Sequence, residues 1–459
     1  MSDPDSSAQP FRSPDRDEYR TFLIVWFGQV ISLVGSGLTW FGISIWVFLE
    51  SGSVTQLAII LLASQLPRIV LSPIAGTFVD RWDRRWAMIL SDAGAGLGTL
   101  AMVALYVTGN LTIPALAAIG AISGAFQAFQ FPAYQAATTL LVPKERYSRA
   151  SGMVQMAEAI GNLVAPALGG IMVAVGGLGL LIAIDVTTFV FAVGTLLMVR
   201  FPRPPVSEAG AESKGTVWYE TKYGFSYIFD RKGLFGLLLY FTAINFAFGG
   251  IMPLVTAYLL SITDEATMGM VFSLGSTGML VGAIVASTWR GLENKILGIV
   301  AMGAILGSMM VLVGAVPSLP FIVLGFWLAM FVLPIGGAFS QAIWMAKVDP
   351  DVQGRVFAVR TAVAQAAIPI SLLLVGPLAD RVFVPLMSGD SLLGTRLQGI
   401  LGSGNTAAYG LFFALAGLSV VAMSGVAWLI GPIRHVERDI PDAAGLPTKD
   451  DTVPDVAPA

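Results

Sequence analysis

The chain lacks most of the residues from which enzymes and metalloproteins build their sites. Its 459 residues include no cysteine and one histidine, His435, and only 12% of them are charged. Without cysteine there are neither disulfides nor thiolate ligands, and a lone histidine has no second metal ligand beside it, so we expect no cofactor and no metal. A soluble domain carries roughly 25% charged residues. The deficit excludes a globular protein, even one with a single membrane anchor.

Three other signals are also missing. The net charge of −3 leaves no basic footprint for a nucleic acid. No G-x-x-x-x-G-K-[ST], G-x-S-x-G or H-E-x-x-H motif occurs, so the sequence predicts neither an ATP-driven pump nor an enzyme. The polar residues 1–20 lack the basic and apolar regions of a cleaved signal peptide, and the first membrane helix is therefore expected to direct insertion.

Hydrophobic residues make up 55% of the chain and are concentrated in twelve long stretches. A helix needs about 20 apolar residues to cross roughly 30 Å of hydrocarbon. The sequence therefore predicts an all-α membrane protein with twelve transmembrane helices. Numbered helix one to helix twelve, they are expected at 21–49, 54–79, 86–108, 113–140, 149–175, 178–200, 234–260, 267–289, 296–316, 320–346, 356–380 and 405–430.

The Lys and Arg residues of the loops predict the orientation. With the N-terminus in the cytoplasm, 23 of the 26 basic residues lie in cytoplasmic segments, those at 347–360 included. Arg381 and Arg396 are then external, and Arg68 lies inside helix two. Because cytoplasmic loops carry the excess of positive charge, both termini are predicted to be cytoplasmic.

The longest polar interruption separates two blocks of six helices. Pro166 interrupts helix five and Pro369 interrupts the corresponding helix eleven, as expected for two pseudo-repeats. The interruption becomes aromatic near its end, which favours a helix at the membrane interface. The predicted organisation is a cytoplasmic N-tail at 1–20, a six-helix bundle at 21–200, a cytoplasmic linker with an interfacial helix at 201–233, a second six-helix bundle at 234–430, and a disordered cytoplasmic tail at 431–459.

Helix two ends in a charged motif, Gly76-Thr-Phe-Val-Asp80-Arg81-Trp-Asp83-Arg84-Arg85. Gly76 lets another helix approach closely, and Asp80 is a boundary carboxylate that needs a cation or a helix N-terminus. A positive-inside turn explains the arginines but not the glycine four residues before the aspartate. The motif resembles the loop 2–3 signature of the major facilitator superfamily, G-x-x-x-D-R-x-G-R-R, with Asp83 where glycine is usual. The resemblance implies a conformational latch made by Gly76, Asp80, Arg81, Arg84 and Arg85.

The same spacing recurs at the predicted external end of helix eleven, in Gly376-Pro-Leu-Ala-Asp380-Arg381. In the fold that the resemblance implies, helix eleven corresponds to helix five, the inverted partner of helix two. Asp380 and Arg381 are therefore candidates for a second latch on the external side. The alternative is a charged helix terminus beside solvent.

Helix five contains Gly161-Asn-Leu-Val-Ala165-Pro166-Ala-Leu-Gly169-Gly170. Gly161, Ala165 and Gly169 are spaced by four residues and form one small-residue face, and the proline bends the helix. The motif resembles the antiporter signature G-x-x-x-G-P-x-x-G-G, which the superfamily associates with exporters. Helix packing alone is the alternative interpretation.

Further tracts extend the resemblance to the macrolide-efflux and siderophore-exporter branch of the drug:proton antiporters, namely Gly28-Gln29-Val-Ile-Ser32, Gln353-Gly354-Arg355-Val-Phe357 and Gly376-Pro377-Leu-Ala-Asp380. The sequence departs from better-studied members at helix four, which lacks their arginine. In this superfamily helices one, four, seven and ten line the cavity. Their aromatic and amide residues suit a bulky apolar or amphipathic solute. The resulting substrate-cavity candidates are Trp40, Phe126, Gln127, Gln130, Asn245, Phe246, Gln341 and Trp344.

Four charged residues are predicted inside the membrane, all in the first block: Arg68, Asp92, Glu158 and Asp185. Charges at membrane depth are costly and therefore indicate function. A pair between Arg68 and a carboxylate would be structural, whereas a carboxylate that loses its partner during the transport cycle would be a proton site. The sequence leaves both interpretations open.

Together these patterns predict a secondary transporter of the bacterial plasma membrane, acting as a monomer. The first hypothesis is a proton-coupled exporter of hydrophobic or amphipathic small molecules, with the substrate, protons and the lipid bilayer as its partners. A second is an exporter dedicated to one metabolite, such as a siderophore or a lysophospholipid. A third is a non-transporting receptor or assembly partner on the same fold. The intact motifs argue against the third, because a scaffold that does not move need not keep them.

Overall fold

The computed structural model describes residues 16–143, 146–199, 201, 217–289, 291–349, 352–389 and 391–442. Within these ranges the chain is almost entirely helical, and eleven helices are long and apolar enough to cross a membrane. The long helices are Arg16–Ser51, Val54–Arg81, Arg84–Val107, Ile113–Leu141, Tyr147–Met198, Lys232–Gly249 continued by Ile251–Leu260, Glu265–Thr288, Lys295–Ala315, Leu319–Lys347, Gln353–Leu378 and Asn405–Leu429.

One of these helices, Tyr147–Met198, contains both helix five and helix six. Its 52 residues would extend about 78 Å as a straight helix, more than twice the thickness of a bilayer core. The backbone leaves helical geometry at Gly177, where φ is 64° and ψ is −171°. A side chain would be strained at this φ, so the Gly-Gly pair at 176–177 marks the break.

Packing against helix one shows that the chain reverses direction at this break. Gly37 lies against Ala165 and Phe41 lies against Gly169, so helix five runs parallel to helix one. Along helix six the order of contacts is opposite, in the pairs Gly28–Thr195 and Gly35–Thr188. With this helix counted as two, the prediction of twelve transmembrane helices is confirmed.

The described chain divides into two compact units. The first comprises residues 1–213 together with the short segment Thr263–Ser273, and the second comprises 214–262 and 274–459. Helices one to six thus belong to the first unit, with the opening turns of helix eight. The second unit holds helix seven, the rest of helix eight and helices nine to twelve.

Each unit has its own apolar packing. In the first unit Ile43, Leu57 and Met102, from helices one, two and three, belong to one buried cluster. In the second unit helix nine packs closely on helix twelve, since Gly307 meets the backbone at residue 417 and Gly410 meets the backbone at residue 314. Small residues at such crossings let helix backbones approach each other, which compensates for the weak hydrophobic drive inside a lipid phase.

Outside the long helices, one segment has the predicted structure and two others are helical where the sequence predicts a loop and a disordered tail. The linker contains a helix, Val217–Phe229, at the place where the sequence predicts one. The segment 381–404, expected as an external loop, is largely helical, with turns at 379–388 and a helix at Leu392–Leu401. Two short helices, Gly431–Arg434 and Val436–Asp439, occupy the start of the tail that the sequence predicts to be disordered.

The ordered start of the tail is explained by a buried lysine at the end of helix ten. The Lys347 ammonium donates to the carbonyl oxygens of Glu437 and Ile440, at 2.6 Å each, and pairs with Asp442 at 2.8 Å. The Glu437 carboxylate in turn accepts hydrogen bonds from the backbone N–H of Lys295 and caps the start of helix nine. Composition alone does not reveal such specific anchors.

Candidate coupling and substrate sites

Asp185 of helix six is the most deeply buried of the four predicted membrane charges, with 4% of its surface exposed. Ser36 of helix one donates to one carboxylate oxygen at 3.1 Å, and Thr99 of helix three donates to the other at 3.0 Å. Within the described part of the chain, Asp185 has no ion-pair partner. Its carboxylate oxygens are therefore satisfied by hydroxyl groups from two other helices.

Asp92 of helix three lies at the end of a second polar chain. The Gln29 amide donates to its carboxylate at 3.1 Å, and the Gln130 amide of helix four donates to the Gln29 carbonyl oxygen at 3.0 Å. Gln130 is thus the one substrate-cavity candidate of the first unit that contacts this network. The chain of amides links helices three, one and four.

Arg68 and Glu158 are both exposed, unlike the two aspartates. Neither forms a salt bridge with any residue that the structure describes. The proposed pair between Arg68 and a carboxylate is therefore not found among the described residues. Of the remaining first-unit candidates, Trp40 packs at the edge of the apolar cluster beside Gly120, and the Phe126 ring covers Gly94. The side chain of Gln127 is half-buried.

The loop after helix two is described only in part. The surroundings of Gly76 and the side chains of Asp80 and Arg81 are not described, so the role of these residues in a latch stays a prediction. Asp83, which stands where glycine is usual, caps helix three by accepting from the backbone N–H of Arg85 at 2.9 Å and of Trp86 at 3.2 Å.

The two arginines of this loop differ in their contacts. The Arg85 guanidinium donates to the carbonyl oxygens of Leu196 and Leu197, both at 2.8 Å, and so binds the C-terminal turn of helix six. The Arg84 side chain is half-buried, and its Nε and Nη1 atoms have no hydrogen-bond partner among the described residues. Arg85 therefore connects the start of helix three to the end of helix six, a contact that could not be predicted from the motif.

The helix-five motif presents two packed faces. Gly161, Ala165 and Gly169 share one face, as expected from their spacing, and this face packs against helix one. A second face, formed by Gly170 and the Pro166 carbonyl, lies against the segment Thr263–Ser273, where Gly269 meets that carbonyl. At Gly170 and at Gly269 a Cβ atom would overlap backbone atoms of the opposite segment.

Two further contacts hold the segment Thr263–Ser273, one to helix five and one to Phe41 of helix one. Ser273 donates to the Leu163 carbonyl oxygen at 2.7 Å, and the Phe41 and Phe272 rings meet edge to face at 5.6 Å. Two glycines of helix eight, Gly278 and Gly282, lie against helix ten inside the second unit.

The second unit contains an open cavity of about 250 Å³ between helices seven, ten and eleven. Two of the predicted cavity residues, Asn245 and Trp344, line it, whereas the Phe246 side chain is exposed. Gln341 accepts a hydrogen bond from Arg360, one of the lining residues. The described lining residues are Leu237, Leu238, Phe241, Asn245, Gly337, Ser340, Trp344, Arg360, Thr361, Ala364 and Gln365.

Arg360 lines this cavity, although the sequence assigns it to the cytoplasmic basic residues at 347–360. It lies seven residues inside helix eleven, about 10 Å along the axis from Gln353. Its guanidinium donates to the Gln341 carbonyl oxygen at 2.9 Å and lies 5.3 Å from the Trp344 ring centre. The predicted span of helix eleven, 356–380, includes position 360, and this overlap is the sequence signal that the arginine lies within the helix.

Asp380 and Arg381 lie in a π-helical turn, Ala379–Phe383, that continues helix eleven. Asp380 is half-buried, close enough to Tyr409 of helix twelve to interact electrostatically, whereas Arg381 is exposed. Single π-helical turns occur frequently at functional sites. The external latch stays a prediction.

A sequence model of the Major Facilitator Superfamily matches residues 25–372 of the chain. The chain belongs to the Major Facilitator Superfamily. Among its relatives within this superfamily, Macrolide efflux protein A of Streptococcus pyogenes is 30% identical over 81% of this chain and 93% of its own length. Multidrug efflux pump Tap of Mycolicibacterium fortuitum is 25% identical over 78% of this chain and 89% of its own length.

Solved structures support the same fold for this superfamily member. The chain superposes on a bacterial homologue of the human lysosomal transporter Spinster with a TM-score of 0.68 at 12% identity, covering 92% of this chain and 98% of that one. A bacterial homologue of the iron transporter ferroportin gives a TM-score of 0.64 at 13% identity, covering 88% and 98%. As a member of this superfamily, the protein is a multi-pass transporter of the bacterial plasma membrane and not an enzyme.

Proposed function

We propose that this superfamily member is a proton-coupled exporter of hydrophobic or amphipathic small molecules. The observation that carries the proposal is the buried Asp185 carboxyl, which is held by hydroxyl groups of two other helices. The direction of transport is supported by relatives named for macrolide and multidrug efflux.

The hydroxyl partners suit a group that gains and loses a proton. A serine or threonine hydroxyl can donate to a carboxylate and can also accept from a carboxylic acid. Ser36 and Thr99 can therefore serve Asp185 in either state by rotating one hydrogen. Asp92 is less suited, because its Gln29 partner offers an amide nitrogen that only donates.

The second-unit cavity suits the proposed substrate class. Leu237, Leu238, Phe241 and Trp344 give it an apolar and aromatic wall, to which a few amide and hydroxyl groups add orientation. Pockets for drug-sized ligands measure about 300–1,000 Å³, so a cavity of about 250 Å³ holds one part of such a molecule.

An efflux assay with a panel of dyes and macrolides tests the proposal. Cells that express the protein should accumulate less of at least one compound than cells without it, and collapse of the proton gradient should abolish the difference. In reconstituted vesicles an imposed pH gradient should drive uptake of the same compound. Efflux that survives collapse of the gradient would exclude proton coupling.

A dedicated metabolite exporter is the second candidate. Enterobactin exporter EntS of Salmonella typhi is 27% identical over 40% of this chain and 45% of its own length. A dedicated exporter would move one compound of a metabolite extract and none of the dyes or macrolides.

A further inference from the structure

One donor atom of Arg360 has no acceptor in the part of the chain that the structure describes. Its Nη2 group donates to Gln341, but the Nη1 atom is buried and has no hydrogen-bond partner among the described residues. No Asp or Glu is found among the described residues that line the cavity, and no described carboxylate forms a salt bridge with Arg360. The guanidinium therefore lies at a largely apolar cavity, and no described carboxylate balances its positive charge.

Such an arrangement is costly unless an anion completes it. A guanidinium stays protonated in proteins, so it cannot relieve its burial by losing charge. A buried donor without an acceptor has lost its hydrogen bonds to water and gained none in return. The free-energy cost is greater for charged groups. The neutral Gln341 carbonyl satisfies one branch of the planar fork. The other branch has the geometry with which arginine binds the second oxygen of a carboxylate, sulfonate or phosphate.

The surroundings of Arg360 indicate what carries that anion. The guanidinium lies 5.3 Å from the Trp344 ring centre and 5.5 Å from that of Phe357, so aromatic faces hold it in place. Apolar side chains of helix seven, Leu237 and Phe241, line the cavity. An acidic group joined to a flat apolar body would fill both parts at once.

We propose that Arg360 binds the anionic oxygen group of the transported molecule, so that the substrates are acidic amphipathic compounds. The proposal rests on the proposed function, whose substrate class it narrows. The same anionic chemistry is present in phospholipid headgroups, and the experiment must therefore separate a soluble anion from a lipid.

A matched pair of fluorescent probes tests the proposal without requiring transport. 8-Anilinonaphthalene-1-sulfonate and N-phenyl-1-naphthylamine share one aromatic skeleton and differ by the sulfonate. Saturable binding is measured to purified protein in nanodiscs of neutral phosphatidylcholine, with empty discs subtracted. We expect wild-type protein to prefer the sulfonate. R360Q should weaken sulfonate binding about tenfold or more while changing binding of the neutral probe less than twofold.

Two controls make the result specific. R355Q removes an exposed arginine from the same helix and should leave both affinities unchanged, and R360K, which keeps the charge but not the fork, should fall between wild type and R360Q. Equal binding of the two probes to wild-type protein would overturn the proposal. So would a parallel loss of both probes in R360Q, or the same loss in R355Q.

A second set of nanodiscs identifies the source of the anion. If phosphatidylglycerol occupies the site, adding it to the discs should weaken sulfonate binding to wild type but not to R360Q, and that outcome would overturn the substrate proposal. Because binding needs no gradient, absence of efflux would leave this result standing. Conversely, gradient-driven efflux with no charge preference would preserve the proposed function and reject Arg360 as its anion site.

Discussion

Among the described residues, the charged side chains that form hydrogen bonds at membrane depth are carboxylates in the first unit and an arginine in the second. The first unit carries Asp92 and Asp185 in networks of neutral donors, and the second carries Arg360 beside a cavity. A carboxyl can change its charge by binding a proton, whereas a guanidinium stays positive. The comparison suggests that the first unit suits ion coupling and the second suits recognition of a solute.

The largest effect is expected from a variant of Asp185, the residue to which we assign proton coupling in the first unit. Asp185→Asn keeps the size of the side chain and partners for both hydroxyl groups, but it cannot bind and release a proton. Accumulation of substrate driven by a pH gradient in vesicles should fall to the level of protein-free vesicles. Exchange of labelled for unlabelled substrate, which needs no gradient, should persist.

Two neutral variants sharpen the assignment. Glu158→Gln changes an exposed carboxyl and should leave gradient-driven accumulation intact. Asp92→Asn should have an intermediate effect, because it alters the hydrogen-bond chain through Gln29 without removing the coupling group. Full activity of Asp185→Asn together with loss of activity in either other variant would move coupling away from helix six.

A steric change in the first unit should have the next largest effect. A Cβ atom at Gly170 would overlap the backbone carbonyl of Glu265, and overpacking of this kind costs about 1–3 kcal/mol. Gly170→Ala should lower the melting temperature in detergent and reduce transport. Gly152→Ala, where a Cβ atom meets nothing within 4 Å on the same helix, should be neutral or slightly stabilising. Equal stability of the two variants would contradict the close contact.

A smaller effect is expected at the external latch proposed for the second unit. Because the chain has no cysteine, a single reporter such as Phe41→Cys can be labelled without background. Asp380→Ala should increase its rate of labelling by an impermeant reagent, if Asp380 helps to close the external side. The exposed Arg396 provides the control, and Arg396→Ala should leave the rate unchanged. If Asp380→Ala changes neither the labelling rate nor efflux, there is no external latch, and Asp380 and Arg381 are simply a charged helix terminus beside solvent.

The helices and the break at Gly177 could be predicted because they depend on local composition and backbone freedom. The partners of Asp185 could not, since Ser36 and Thr99 lie far away in sequence and only the packing of three helices brings them together. The same limit applies to Arg360. Charge counting treats an arginine near a helix end as a loop residue, whereas its burial depends on Gln341 and Trp344 of another helix.

The smallest effect concerns the tail of the second unit, whose order also comes from a distant contact. The hydrogen bond and positive charge of Lys347 lower the pKa of Asp442 below its ordinary value. A carboxyl whose pKa is lowered by folding stabilises the folded state at every pH above its pKa in the unfolded chain. That stabilisation is lost as the pH falls through the pKa of the folded state. The Lys347–Asp442 pair should therefore contribute to stability throughout the range above about pH 4. Asp442 is mostly exposed, so Asp442→Asn should lower the melting temperature only slightly, and by the same amount at pH 8 and pH 5. A difference that disappears between pH 8 and pH 5 would assign the effect to another titrating group.

Lys347→Met should lower the melting temperature more than Asp442→Asn, because it also removes the hydrogen bonds to Glu437 and Ile440.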